Sequence, residues 1–330
     1  MHKCLSISRI GWIRNYSATN VKKNKYCVLA CAVWVVFLFP YCMEKSGSQA
    51  AQDLAAEPAA ANVPVFPTDS GLGKYFPKIE PIKKWDMLPE NAVPWGGVVS
   101  HHALTGKLID EFFFVLSKKR KVDTFILLSP GHFKFSKDYV SVTGGSWKTP
   151  FGFVKSDTVL TENLAVSFGV GYDDGAFYSE HGVSTLVPFI KKYFPEAKVA
   201  AVLYEVLEHY SGVMVKKYAD GIYRNFQAGS GNFLLISSDF THGVDLKTAL
   251  AQDKNTAEFF SSPTASSWQK VTCDNMPAIY AFSILASPKT KVTSLYRTNC
   301  LYLAPNDADP NDITSYFFSY FWEEVGRTIP

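Results

Sequence analysis

Short, uninterrupted apolar runs alternate with helically spaced apolar residues from residue 97 to residue 322, and this alternation limits the chain to few folds. Gly97–Ser100, Asp123–Leu128, Lys198–Tyr204 and Asn232–Ser237 read as strands. The Asp123–Leu128 run has no polar alternation, the mark of a strand buried on both faces. Between them, Leu108, Ile109, Phe112, Phe113 and Leu116 recur at helical spacing, as do Val183, Leu186, Val187 and Ile190 in a helix that begins near Glu180 and contains Pro188. Val213–Phe226 and Met276–Leu285 are further helices, Tyr139–Thr143 an edge strand, and Lys291–Arg297 and Ser315–Trp322 late strands. The order predicts an α/β fold: a mixed, largely parallel central sheet flanked by helices.

Charge separates this part of the chain from what precedes it. Of 330 residues, 33 are Lys or Arg and 30 are Asp or Glu, a net of +3. Residues 1–43 hold six of the cations (Lys3, Arg9, Arg14, Lys22, Lys23 and Lys25) and no acid, so residues 44–330 carry 27 cations against 30 anions. A net of −3 with no basic stripe excludes a nucleic-acid partner, which would demand a cationic surface. With 47% hydrophobic and 15% aromatic residues, the chain is not intrinsically disordered.

The basic residues run directly into Tyr26–Met43, which is uncharged. Eighteen residues make about 27 Å of helix, close to the ~30 Å hydrocarbon core. These flanks belong either to a cleaved signal peptide or to an uncleaved signal anchor. Both predict an exported protein, periplasmic or otherwise extracytoplasmic, held at the membrane by residues 26–43 if uncleaved. Residues 44–74, rich in Ala, Pro and Ser, read as a linker, and 75–330 as one domain.

Histidines carry the chemistry. His101 and His102 follow the Gly97–Ser100 strand, His132 follows Asp123–Leu128 through Ser129-Pro-Gly, and Asp239 and His242 follow Asn232–Ser237. His181, at a helix start, can join them. Ligands of open α/β sheets bind beyond the carboxyl ends of the strands. Three strands therefore bring imidazole or carboxylate to one edge, and such a cluster suits a metal ion with a spare imidazole for proton transfer. Asp239 would orient an imidazole. In the domain, Cys273 and Cys300 are either a disulfide, as export favours, or Cys273 is a thiolate at a helix start. The chain has no Gly-x-Ser-x-Gly elbow, no His-Glu-x-x-His helix and no phosphate-binding glycine loop.

The runs Val99-Ser-His-His-Ala-Leu-Thr-Gly-Lys-Leu-Ile109, Leu127-Leu-Ser-Pro-Gly-His132, Trp147-Lys-Thr-Pro-Phe-Gly152, Glu180-His181, Pro188-Phe189 and Ser237-Ser-Asp-Phe-Thr-His242 occur in the order of the Memo-like family, also called AmmeMemoRadiSam system protein B. The resemblance spans about residues 95–285. It implies a fold similar to class III extradiol dioxygenases. It also implies one iron or copper ion held by His101, His132 and Cys273, with His242 as acid/base and Asp239 and His181 lining the pocket. The sequence departs from the family's pattern at Phe133, where many members have a second His, and at Asp274, where Gly commonly follows the ligand cysteine. The expected function is metal-dependent oxidation of an unknown small molecule or peptide. The alternatives are a non-catalytic binding or adaptor module using the same pocket, or metal storage and delivery.

Overall fold

A computed structural model describes residues 63–68, 88–133, 136–207, 210–227 and 230–324. The apolar segment 26–43, the rest of the leader, the linker outside 63–68, His2 and His209 lie outside the described residues. Among the described residues, no helix is long and apolar enough to cross a membrane.

In chain order the strands are β1 (Val65–Pro67), β2 (Ala92–Val99), β3 (Thr124–Gly131), β4 (Val140–Val142), β5 (Ser146–Thr149), β6 (Gly152–Val154), β7 (Lys198–Glu205), β8 (Asn232–Ser237), β9 (Lys291–Asn299) and β10 (Ser315–Glu324). The helices are α1 (Gly106–Lys119), α2 (Thr158–Phe168), α3 (His181–Ser184), α4 (Val187–Tyr193), α5 (Gly212–Asn225), α6 (Leu246–Ser261), α7 (Met276–Leu285) and α8 (Cys300–Leu303). Seven strands pair in the order β4-β7-β3-β8-β2-β10-β9. The four central strands, β7, β3, β8 and β2, are parallel, while β4, β10 and β9 pair antiparallel at the margins. The α/β class and the largely parallel centre follow the sequence.

The continuous apolar runs are explained by two cores, one on each face. Phe125 and Leu127 of β3, Phe233 and Leu235 of β8, and Val199, Ala201 and Leu203 of β7 pack on one face with α1, α3 and α4. Ile126 and Leu128, Leu234 and Ile236, and Ala200, Val202 and Tyr204 face the other way, against α2, α5 and α7. Alternate residues point to opposite faces of a strand, so both parities must be apolar when both faces are covered.

The structure differs from the sequence expectation in two places. The helix expected from Glu180 through Pro188 is two short ones, α3 and α4, with Pro188 in the first turn of the second. A proline there lacks only an N–H that has no intrahelical partner, whereas within a continuous helix it would break a bond. Within the expected linker, Val65–Pro67 is a strand that pairs parallel with Ser146–Lys148. Phe66 is fully buried with its ring centroid 5.3 Å from that of Trp147.

Strand order positions the site. Strand β8 sits between β3 and β2, so the carboxyl ends of three adjacent parallel strands deliver His132, Ser237–Asp239 and Ser100–His102 to one edge.

Candidate metal centre

His101 leaves the end of β2 and is 2% exposed. Its Nδ1 lies 2.9 Å from Ser237 Oγ, whose hydroxyl donates to the Gly182 carbonyl at 2.6 Å. The serine proton is thereby committed, so Ser237 accepts from His101 Nδ1–H and the Nε2 lone pair stays bare. Burial, and then the charges of His132 and His181, hold His101 well below the ordinary histidine pKa. It is a neutral imidazole offering Nε2.

His132 ends β3. Its Nδ1–H donates to Glu180 Oε1 at 2.7 Å and its backbone N–H to Glu180 Oε2 at 2.8 Å. Glu180, buried to 1% exposure, also accepts from the Gly182 N–H at 2.7 Å. Burial pulls the His132 pKa down, but the carboxylates of Asp274 and Glu180 outweigh it and raise it to about 10. A carboxylate on the far nitrogen of an imidazole is the usual outer support of a metal-binding histidine.

Both Nε2 atoms face the same oxygen. Asp274 Oδ2 lies 3.4 Å from His101 Nε2 and 3.7 Å from His132 Nε2. Asp239 Oδ2 is 3.8 Å from His101 Nε2, and its Oδ1 accepts from the Ser100 hydroxyl. Burial raises the Asp239 pKa, and the neighbouring Asp274 adds to that. His181 completes the group, its ring centroid 4.1 Å from that of His132 and 5.2 Å from that of His101. Burial, then the His132 charge, bring its pKa to about 4. Among the described residues, donor atoms converge in two overlapping sets, His101/His132/His181 and His101/Asp239/Asp274.

Among the residues singled out from sequence, His101, His132, His181 and Asp239 thus come together. His242 is exposed and belongs to neither set. Cys273 also belongs to neither: its Sγ lies 3.7 Å from Met276 Sδ. Cys273 and Cys300 are both free thiols; Cys300 is buried, and its sulfur accepts from the Thr314 N–H at 3.4 Å. The disulfide alternative is therefore not realised. Asp239 is not what orients the imidazoles, since Ser237 and Glu180 do that. Sequence reading passed over Asp274, Glu180 and Ser237 as site residues. Glu180 and Asp274 were visible only as acids adjoining His181 and Cys273.

The Memo-like protein family profile matches residues 86–263, more than half of the chain. Relatives include MEMO1 family proteins of Pyrobaculum aerophilum (29% identical over 151 residues, 44% of this chain and 53% of the relative) and Pyrobaculum arsenaticum (31% over 151 residues, again 44% and 53%). A third, from Nitrosopumilus maritimus, is 26% identical over 162 residues, 48% of this chain and 58% of its own. The chain matches about half the length of these relatives. With the strand-end histidines in the matched region, the chain belongs to the Memo-like protein family.

Proposed function

We propose that this chain binds one iron or copper ion between His101 and His132 and uses it in an oxidation. The carrying observation is that each imidazole is anchored through Nδ1, to Ser237 and Glu180 respectively, with its Nε2 turned toward one shared carboxylate oxygen. Nitrogen and oxygen donors supported by buried partners fit a transition-metal ion. A bound ion would supply the one-electron chemistry with oxygen that no side chain can. The chain's own residues do the rest. Ser237 and Glu180 hold the imidazoles in place, and Asp239 and Asp274 balance the ion's charge. His181, neutral at pH 7, is placed to accept a proton, and His242 is exposed to exchange one with solvent. A cavity of about 370 Å³ walled by Tyr210, Trp268, Cys273, Asp274 and Met276 borders the centre through Asp274. Its wall combines aromatic and thioether surface with Gln269, Thr272 and Asp274, which suits a substrate of mixed polarity. From residues 1–43 alone, the reading extends to an exported protein.

Metal analysis of the purified full chain, loaded anaerobically with iron(II) or copper, tests this. One equivalent per chain is expected in the wild type, with loss in both His101→Ala and His132→Ala. Wild-type protein that takes up neither metal sinks the proposal.

A further inference from the structure

Asn275 stands at the start of α7 and is fully buried. Asparagine at a helix start ordinarily turns its side-chain oxygen back to accept an N–H of the first turn. Asn275 does not. The start of α7 has no side-chain cap, and the Ala278 N–H donates to the Asn275 backbone carbonyl at 3.1 Å. The side chain turns into the sheet instead, and its buried Oδ1 has no hydrogen-bond partner among the described residues. Forgoing a cap and burying a bare acceptor both cost stability, so another interaction must hold the side chain there.

That interaction lies where the sheet opens. Strands β3 and β8 pair only as far as Leu128 and Ile236, whereas β8 pairs with β2 as far as Ser237 and Val99. Beyond these residues the ladder between β3 and β8 ends, and buried carbonyls there need donors from elsewhere. Asn275 Nδ2 supplies both, donating to the Leu128 carbonyl at 3.1 Å and to the Ser237 carbonyl at 2.9 Å. Leu128 and Ser237 are fully buried, so solvent cannot take over either bond.

Each bond reaches a strand end that carries part of the centre. Strand β3 runs on from Leu128 to His132, and the Ser237 hydroxyl supports His101 Nδ1. The segment before Asn275 is zipped to the end of β8: Cys273 bridges Phe240, and the Asp274 N–H donates to the Asp239 carbonyl at 3.1 Å. Cys273, Asp274 and Met276 then wall the neighbouring cavity. One side-chain amide thus ties together the two histidine-bearing arms and the wall beside them.

We infer that Asn275 is a positioning residue of the centre, touching no ion but setting the separation of the His101 and His132 arms and the seat of residues 273–274. This rests on the metal-binding reading above and deepens it.

Cobalt(II) titration of the full chain, followed by visible spectrum as well as affinity, tests the role. Asn275→Leu is similar in shape and removes both bonds. Its affinity should fall ~10–100-fold, the range for partners that support metal ligands, and its ligand-field bands should shift as the coordination distorts. Asn275→Asp, which sets an acceptor against two carbonyls, should be impaired at least as much. A lower melting temperature with wild-type affinity and spectrum would mean a role in stability alone and overturns the inference. The wild type supplies a check independent of how the variants fold. Coupling is reciprocal, so zinc binding should slow deuterium exchange of the Asn275 side-chain amide about tenfold more than that of buried β7 backbone amides, which register global stabilisation. Equal slowing also overturns the inference while leaving metal binding intact. Wild-type protein that binds neither cobalt nor zinc would bring down the metal-binding reading itself, and any positioning role for Asn275 with it.

Discussion

Glu180 coordinates nothing in the proposed centre, yet its two oxygens hold the His132 ring, the His132 backbone and the first turn of α3. Glu180→Gln keeps the volume but removes the charge and one acceptor. Metal affinity should fall about 10–100-fold, as for other outer-shell partners, measured by competition with a chelator while the circular dichroism stays unchanged. The proton on His132 sets a second expectation. Its pKa in the metal-free fold is raised to about 10, above the unfolded value of about 6.5. That group therefore stabilises the metal-free protein in full below pH 6.5, and the contribution fades as pH rises through 10. A metal ion at Nε2 must displace the same proton, so apparent affinity should strengthen by up to about tenfold per pH unit between roughly 6.5 and 10. Cobalt titrations at pH 6.5, 7.5 and 8.5 check this, and a flat profile would remove His132 from the ligand set. The strand-end histidines were legible because the apolar run preceding each one ends abruptly. The approach of Asp274 to the histidines was not legible, because the Phe240–Cys273 bridge that brings this segment to the site is a pairing across 33 positions that local pattern does not contain.

At the scale of elements, α3 is the joint of the site. The Gly182 carbonyl accepts from Ser237, the support of His101, and the Gly182 N–H is bound by Glu180, the support of His132. A Cβ at this position would collide with Ser129 Oγ at the end of β3 and stand 3.2 Å from Glu180 Oε1. Gly182→Ala should therefore push α3 off β3, cost about 1–3 kcal/mol as overpacked buried positions do, and weaken metal binding although no ligand is altered. Thermal melts of the metal-free protein, alongside cobalt titration, read the two effects separately. Unchanged melting and affinity would show that α3 yields freely. Strands β3 and β8 and helix α7 could be read from the sequence because double-sided burial and helical periodicity are local signals. The small sheet of β1, β5 and β6 could not, because Val65 pairs with Ser146 and Phe66 is buried only by partners distant in the chain. The division of α3 from α4 follows from Pro188, whose ring favours a first turn over a middle one.

For the whole molecule, the alternation of strands and helices was enough to predict the α/β class and a mostly parallel centre. It could not supply the strand order, in which β8 enters between β3 and β2. The proposed export belongs to this scale too, since it concerns where the complete domain resides. An alkaline phosphatase reporter, active only outside the cytoplasm, fused after Ala61 should be active, and deletion of residues 26–43 should silence it. Equal activity with and without that segment would refute export.

The cavity beside the centre carries two sulfur atoms in its wall, Cys273 Sγ and Met276 Sδ, 3.7 Å apart. Peroxide takes a thiol from sulfenic toward sulfonic acid and a thioether to its sulfoxide. Either change would turn an apolar stretch of that wall polar, so oxidants would alter what the cavity admits.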